Sequence, residues 1–206
     1  MKFEYGKAYE VYPVEDFTFP DGSRLKVHNI FDQTPDFMKE ADLLFVDPPW
    51  NQGNLRSFYT KNEDVLEDTY EDFYTRIFEV IAEIRPAIAY VEIGKEYLAD
   101  FIQEMRRLYR YVTFYNSTYY HSGKNLCYIV RGANKARPRP TLDGMDEEDI
   151  IKWVCQNETY TCIADPCMGQ GLVALYASLA GKRFAGTEMN PKRLAVARKR
   201  VENGKK

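Results

Sequence analysis

Hydrophobic residues along the chain form short alternating and continuous runs in its first quarter. Residues 17–19 and 25–30 alternate apolar and polar positions around Pro-Asp-Gly-Ser, a turn-forming tetrapeptide, and this pattern predicts a β-hairpin. Residues 41–46 are a continuous apolar run that predicts a buried strand. Two prolines follow directly, and because proline cannot continue a central strand, the strand is expected to stop there.

The rest of the chain alternates between helical and strand patterns. Thr69 and Asp72 resemble a capping box, and the apolar spacing after them predicts a helix that ends at Pro86. The elements predicted further along are a strand over 87–93, a helix over 98–108, paired strands over 111–119 and 125–130, a helix around 150–154, a strand over 162–164, a helix over 172–180, a strand over 183–186, and a last helix with Asn190 as N-cap and Pro191 at its first position. This alternation predicts a three-layer α/β fold, with a mostly parallel sheet and an antiparallel edge hairpin.

Length and composition predict a single domain over residues 1–206. The chain has 206 residues, of which 45% are apolar, enough for one core of ordinary size. It contains no basic segment followed by an apolar run at its start and nothing close to the ~20 apolar residues of a membrane span, so a soluble, cytoplasmic protein with no membrane partner is expected. The four cysteines are too scattered to predict a metal site and are expected to be buried thiols.

The charge balance argues against tight, non-specific nucleic-acid binding. There are 28 basic and 31 acidic residues, for a net charge of -3, whereas such binders usually carry a strong basic excess. One stretch of the chain is basic and contains no acidic residue; its basic residues are Arg131, Lys135, Arg137 and Arg139. This stretch could form a local basic strip on the surface or a solvated loop, and both interpretations stay open.

A glycine-containing loop follows the strand predicted at 162–164. It reads Asp-Pro-Cys-Met-Gly-Gln-Gly from Asp165 to Gly171, and Glu188 follows at the end of the next predicted strand. Glycines two apart let a backbone pass close to a ligand, and a carboxylate in that place can accept both hydroxyls of a ribose. Ala174 replaces the third glycine of a dinucleotide motif, which favours a nucleoside ligand without a pyrophosphate. Alone, this pair of glycines is weak evidence for a ligand site, and a plain tight turn would be the better interpretation.

The tetrapeptide Asp47, Pro48, Pro49 and Trp50 follows the strand predicted at 41–46 and suits the capture of a flat ring that carries an amine. Prolines lack an N–H and fix the backbone, so the Asp47 carboxylate and the Pro48 carbonyl are expected to point outward as acceptors. Trp50 offers a stacking face. An exocyclic base amine is a poor nucleophile, and two acceptors that hold its hydrogens direct its lone pair toward a methyl donor.

Together the two motifs resemble those of the S-adenosylmethionine-dependent amino-methyltransferases that act on adenine N6 or cytosine N4 in DNA. Their order, with the catalytic loop first, resembles the circularly permuted β group over roughly residues 25–201. The resemblance implies a Rossmann-like methyltransferase fold and S-adenosylmethionine as cofactor. It places Asp165, Pro166, Gly169 and Gly171 at the methionine end of the cofactor, Glu188 at its ribose, and Asn29 and Ile30 near its adenine. Asp47 as first residue of the tetrapeptide favours adenine N6.

The sequence departs from this family in several features and leaves other functions open. Cys167 stands where phenylalanine is usual, and there is no large target-recognition insert. Recognition of DNA is therefore expected to depend on residues 51–61, on residues 119–124, or on a partner, either a second copy in a homodimer or a specificity subunit. The alternatives are an RNA adenosine N6-methyltransferase, a cytosine N4-methyltransferase and a non-catalytic subunit with the same fold. A protein-glutamine methyltransferase fits less well, because such enzymes resemble Asn-Pro-Pro-Tyr in the unpermuted order.

Overall fold

The protein forms one eight-stranded sheet with helices on both faces. A computed structural model describes residues 5–136 and 138–205. The strands are β1 Asp16–Thr18, β2 Arg24–Val27, β3 Leu43–Val46, β4 Ile88–Ile93, β5 Tyr111–Thr118, β6 Leu126–Ala133, β7 Cys162–Asp165 and β8 Arg183–Glu188. The helices are α1 Tyr5–Val11, α2 Gln52–Lys61, α3 Tyr70–Ile84, α4 Leu98–Leu108, α5 Glu147–Asn157, α6 Leu172–Leu179 and α7 Pro191–Asn203, with a 3-10 turn at Asp36–Glu40. Over these described ranges, no helix is long and apolar enough to cross a membrane.

The strands follow the spatial order β1-β2-β8-β7-β3-β4-β6-β5. The five strands from β2 to β4 in that order run parallel to one another, while β1 pairs antiparallel at one edge and β6 and β5 at the other. This confirms the predicted mostly parallel sheet with an antiparallel edge, and the hairpin of β1 and β2 adds a second antiparallel edge. All five parallel strands therefore place their carboxyl ends along one rim of the sheet.

Two apolar clusters cover the sheet, one on each face. Successive side chains of a strand point to opposite faces, and in β3 the alternate residues Leu43 and Phe45 pack with α5, α6 and α7. Leu44 and Val46 pack on the other face, with α3 and α4. The result is the predicted three-layer arrangement, and it explains why β3 reads as an unbroken apolar run.

Two helix starts confirm the sequence prediction in detail. Thr69 caps α3 and forms a reciprocal capping box with Asp72, which satisfies backbone N–H groups that have no partner within the helix. Asn190 caps α7, where its side chain accepts from two backbone N–H groups, and Pro191 follows at the first position. The start of α7 matters for the site, because it follows Glu188 closely.

Other segments differ from the prediction. Strand β2 ends at Val27 rather than at residue 30, and α1, the 3-10 turn and α2 were not predicted. No regular element was predicted over residues 51–61, yet Asn51 caps a helix that runs to Lys61. The reason is that only Leu55 and Tyr59 of this helix are buried. One apolar position per turn gives too weak a periodic pattern to indicate a helix.

The basic run is not a continuous surface strip. Arg131 lies in β6 and is buried, where its Nε donates to the Tyr90 hydroxyl at 2.9 Å and its Nη2 lies 3.2 Å from a carboxylate oxygen of Glu158. Lys135 and Arg139 are exposed, and Arg137 lies outside the described residues. The basic-strip interpretation is therefore wrong for Arg131, because a buried arginine bound to a carboxylate adds no surface charge.

The four cysteines are free thiols. Cys127, Cys155 and Cys162 are buried, as predicted, while Cys167 is half-buried in the loop after β7. Burial raises the pKa of Cys127 and of Cys162 to about 11, so both thiols stay protonated near neutral pH and behave as apolar packing groups.

Candidate active site

The two loops singled out from the sequence leave neighbouring strands at the same rim of the sheet. Strands β3 and β7 pair in parallel, with Leu43 opposite Ile163 and Leu44 opposite Ala164. Asp47 follows the last residue of β3, and Pro166 follows the last residue of β7. Strand β8 pairs with β7 on its other side and ends at Glu188. The structure thus brings the two predicted loops and Glu188 together.

The Asp47–Trp50 loop is held in place by its own side chains and by α3. The Trp50 indole Nε1 donates to Asp47 Oδ1 at 3.0 Å, and the Tyr70 hydroxyl donates to the Pro49 carbonyl at 3.0 Å. Among the described residues, no donor bonds to Asp47 Oδ2 or to the Pro48 carbonyl. Two acceptors in a fixed loop therefore remain available for an external hydrogen-bond donor.

The Trp50 ring is positioned by two further contacts. A methyl group at Gly94, the residue after β4, would lie 3.0 Å from Cε3 of Trp50. The Tyr119 ring meets the indole edge-on, with 5.2 Å between ring centroids. The absence of a side chain at Gly94 therefore makes room for Trp50. The role of Trp50 as a stacking surface remains a prediction, and the Gly94 contact was missed because a lone glycine after a strand gives no sequence signal.

Asp47 carries a carboxyl group with an unusual affinity for protons. The surrounding protein limits its hydration and raises its pKa to about 6, while the hydrogen bond from Trp50 and the charge of Arg193 act in the opposite direction. The residue is nevertheless exposed to solvent. Near neutral pH the ionised form, which accepts hydrogen bonds most strongly, still dominates.

The loop after β7 depends on glycine at two positions. Gly169 and Gly171 have φ values of 55° and 76°, in the left-handed region that glycine adopts most easily. A Cβ atom at Gly171 would lie 2.5 Å from the Cβ of Ala197 in α7. Asp165 is buried and accepts from the Cys167 N–H at 3.2 Å, and the Pro166 carbonyl accepts from the Thr187 hydroxyl at 3.0 Å. These contacts fix the loop against β8 and α7.

Glu188 connects this loop to the start of α7. Its Oε2 accepts from the Gly169 N–H at 2.9 Å and its Oε1 from the Asn190 N–H at 2.9 Å, and the side chain is buried. Arg193 lies 3.6 Å from Oε2. Each carboxylate oxygen has a second acceptor position, so this group can still accept ligand hydroxyls while it holds the loop.

The two remaining predicted cofactor residues differ in their positions. Asn29 follows β2, its Oδ1 accepts from the Tyr59 hydroxyl at 3.3 Å, and it lines an open cleft of ≈ 710 Å³ together with Met189 and Pro191. The Ile30 carbonyl instead accepts from Arg76 Nε at 2.9 Å, and its side chain packs partly in the core. Asn29 is therefore well placed for a ligand beside the end of β8, and the contact predicted for Ile30 stays a prediction.

Three charged residues at this rim were missed by the sequence analysis. Arg193, in the first turn of α7, has its guanidinium carbon 4.8 Å from the centroid of the Phe58 ring. Glu92 lies in β4 and Glu147 begins α5, and together with Asp47 they place carboxylate oxygens within 4.8 Å of one another. Burial raises the pKa of Glu147 to about 7 and raises that of Glu92 well above its usual range. A signal existed for Glu92, since it is the one charged residue in the apolar run 87–93.

Comparison with known proteins relates this chain to methyltransferase structures. No protein-family model matches it, and no curated protein sequence matches it. TTHA0409 of Thermus thermophilus, complexed with S-adenosyl-L-methionine, is 15% identical, with a TM-score of 0.60 over 87% of this chain and 93% of that one. M1.HpyAVI is 14% identical, with a TM-score of 0.58 over 86% of this chain and 97% of that one. The cytosine-N4-specific PvuII DNA methyltransferase is 9% identical, with a TM-score of 0.53 over 81% and 87%. These likenesses confirm the Rossmann-like methyltransferase fold.

Proposed function

We propose that this chain transfers a methyl group from S-adenosylmethionine to an exocyclic amino group of a base in DNA, with adenine N6 as the favoured target. The observation that carries the proposal is the pairing of β3 with β7. It sets the free acceptors of Asp47 and Pro48 beside the glycine loop that ends at Gly171. An amine-holding loop and a nucleoside-holding loop on adjacent strands are what methyl transfer between two bound molecules requires.

The residues on the cofactor side fit S-adenosylmethionine. Gly169 and Gly171 let this loop pack closely against Arg193 and Ala197 of α7, and the buried Glu188 carboxylate keeps acceptor positions for ribose hydroxyls. The cleft lined by Asn29 and Met189 offers space for an adenine ring beyond Glu188. Asp165 is assigned to the methionine end. When bound, the cofactor supplies a methyl group on a positively charged sulfur, and TTHA0409, with a similar fold, was solved with this molecule.

On the substrate side, the chain's own contribution is positioning and electrostatics. Asp47 Oδ2 and the Pro48 carbonyl accept the two amine hydrogens, which turns the nitrogen lone pair out of conjugation with the ring. Trp50 holds Asp47 through its indole N–H and offers ring surface to a base that has been extruded from the duplex. Formation of the N–C bond, with the sulfur–methyl bond breaking, would place positive charge on the amine; the ionised Asp47 would stabilise that charge and accept the proton that the amine then loses.

The assignment to adenine N6 rests on the residue types of the loop. Asp47 at the first position and Trp50 at the last favour adenine, and the order of the two loops supports the permuted β group. PvuII DNA methyltransferase, which shares the fold, is specific for cytosine N4. A cytosine product is therefore the outcome that the experiment has to separate from adenine.

Target recognition in this proposal requires more than the sheet and its covering helices. Because no recognition insert lies between its elements, contacts to DNA are assigned to α2, to residues 119–124, or to a second copy or specificity partner. Helix α2 carries Arg56 and Lys61, and its N-terminus closely follows Trp50. A helix in this place presents charged side chains on a regular element, which suits the readout of DNA.

The decisive measurement is mass spectrometry of nucleosides from DNA and RNA incubated with the protein and isotopically labelled S-adenosylmethionine. Labelled N6-methyldeoxyadenosine from DNA is the expected product. Labelled N4-methyldeoxycytidine, or label in RNA alone, would reassign the target. Cofactor binding by calorimetry without product from either nucleic acid would instead identify a non-catalytic subunit.

A further inference from the structure

Glu92 is a buried acidic side chain without a partner. It is 0% exposed, and neither of its carboxylate oxygens has a hydrogen-bond partner among the described residues. Burying an ionised carboxylate without compensation costs several kcal/mol, and most buried polar atoms in proteins are hydrogen-bonded. An unpartnered carboxylate at the rim of the sheet therefore indicates that something binds it.

Two more carboxylates converge on the same point. Asp47 from the loop after β3, Glu92 from β4 and Glu147 from the start of α5 place oxygens within 4.8 Å of one another. Strands β3 and β4 pair directly, with Val46 opposite Val91, so the first two groups are fixed by the sheet. The third comes from a separate helix, so the carboxylates converge from three elements, with Glu92 buried, Glu147 half-buried and Asp47 exposed.

The neighbouring groups do not neutralise this cluster. Arg193, the cation that acts on Asp47, lies 3.6 Å from Glu188 and is shared with it. His121 lies beside Asp146 and Glu148 instead, at 3.4 and 3.9 Å. The N-terminus of α5 favours negative charge, yet its cap and first turn already hold four consecutive acids, residues 146–149.

We infer that Asp47, Glu92 and Glu147 form a binding site for one divalent cation with a preference for oxygen ligands, such as Mg²⁺, Mn²⁺ or Ca²⁺. Three carboxylates are the ligand set that these hard cations prefer. Metal–oxygen distances of roughly 2.1–2.4 Å separate ligand oxygens by about 3.0–4.8 Å in octahedral geometry, which agrees with the observed spacing. A cation on Asp47 and a base amine compete for the same carboxylate.

The test uses Mn²⁺ and the whole chain, with neither DNA nor methyl donor present. Titration followed by the electron paramagnetic resonance signal of free Mn²⁺ should show one saturable site, and Mn²⁺ should raise the melting temperature. Glu92→Gln and Glu147→Gln should each weaken binding by at least ~10-fold, the lower end of the losses seen when a metal site is perturbed. Glu148→Gln removes the same charge from the same helical turn and should change binding less than ~2-fold, because Glu148 is not one of the three converging carboxylates.

The outcomes separate this inference from the proposed methyl transfer. A wild-type chain that binds no Mn²⁺ at millimolar concentration would overturn the cation site, and protons shared among the carboxyls would then balance the charge. Equal Mn²⁺ binding by the wild type and both ligand variants would also overturn it. Glu92→Gln removes a buried charge and should raise the melting temperature without metal, so its lost response to Mn²⁺ is distinguishable from misfolding. Neither result depends on whether the chain methylates DNA.

Discussion

The two sides of the proposed active site, the cofactor side around Glu188 and the acceptor side around Asp47, differ in how their buried carboxylates are hydrogen-bonded. Glu188 has both oxygens bonded to backbone N–H groups, from Gly169 and Asn190. Glu92, which lies at the same rim, has neither oxygen bonded to a described residue. The two groups are similarly buried, so the difference lies in what surrounds them rather than in their access to solvent.

The acceptors on the Glu188 side are already hydrogen-bonded within the chain, and we call this the preformed side. The acceptors on the Asp47 side lack such partners among the described residues. On the cofactor side, glycine backbone and a helix start supply donors within the chain, so the Glu188 carboxylate is hydrogen-bonded without a ligand. On the acceptor side, Asp47 Oδ2, the Pro48 carbonyl and Glu92 present acceptors to which no described residue donates. Unmet polar groups of this kind cluster where a substrate or ion completes the hydrogen bonding. Substitutions on the acceptor side should therefore lower the rate of methyl transfer, whereas substitutions on the preformed side should lower stability or cofactor affinity.

Asp47→Ala tests the acceptor side and should have the largest effect. Methyl transfer should fall by at least ~10²-fold, the scale for losing a positioned polar group in a transition state. Cofactor affinity and thermal stability should change little, because the Glu188 side is untouched. Steady-state rates and calorimetry measure the two quantities. Asp100→Ala, at an exposed position of α4, is the matched control, and a wild-type rate in Asp47→Ala would remove the acceptor loop from catalysis.

Gly171→Ala tests the preformed side through its backbone. Alanine in the left-handed region is strained, and its Cβ would lie 2.5 Å from that of Ala197. Gly181 also has a positive φ, of 66°, but open space around it, so Gly181→Ala carries the strain without the clash. Gly171→Ala should lose about 2 kcal/mol more unfolding free energy than Gly181→Ala, the usual cost of overpacking. Urea denaturation of both variants measures this difference. Equal losses of unfolding free energy would show that α7 can shift to make room for the added methyl group at no cost.

Glu188→Ala tests the charged hydrogen bonds of the same side. Loss of the carboxylate should weaken S-adenosylmethionine binding by ~1.5 kcal/mol, a typical value for a hydrogen bond to a charged group. Glu188→Gln keeps an acceptor for one N–H group and should lose less. Glu202→Ala, which removes a surface partner of Arg198, serves as control in the calorimetric titration. A dissociation constant unchanged in folded Glu188→Ala would take this residue out of the cofactor site.

The positions of the glycine loop and of Glu188 in the fold could be predicted well from the sequence, while their roles in cofactor binding remain a proposal. Gly169, Gly171 and Glu188 could be placed because glycine spacing and strand ends are local properties of the chain. From the sequence we could predict that β3 and β7 end at the same rim of the sheet, but not that they are neighbours. Strand pairing depends on contacts between residues far apart in sequence. Helix α2 escaped prediction since Leu55 and Tyr59 alone face inward.

The acceptor side shows why the remaining residues could not be predicted. Asp47 stood out through the prolines beside it, but Glu92 and Glu147 lie 45 and 100 positions after it in the chain. Only the folded sheet and the docking of α5 bring their carboxylates together. Arg193 likewise reads as an ordinary helix residue until α7 packs against the glycine loop. Long-range convergence of this kind leaves no periodic signal.

Trp50→Phe should have the smallest effect and sharpens the comparison, because it removes one contact within the acceptor side. Phenylalanine keeps an aromatic surface but loses the indole N–H that bonds Asp47 Oδ1 at 3.0 Å. The loss of one exposed hydrogen bond should cost about 1 kcal/mol and should appear in kcat, since Asp47 would be less well oriented.

Trp50→Ala also removes the ring surface and should in addition raise the KM for DNA, because stacking contributes about 1–3 kcal/mol per base. Trp153→Phe, in α5 and packed against the other face of the sheet, controls for tryptophan loss in general. If Trp50→Phe and Trp50→Ala raised KM equally and left kcat unchanged, the indole N–H would have no part in orienting Asp47, and the fixed geometry of the acceptor loop would have to come from its prolines alone.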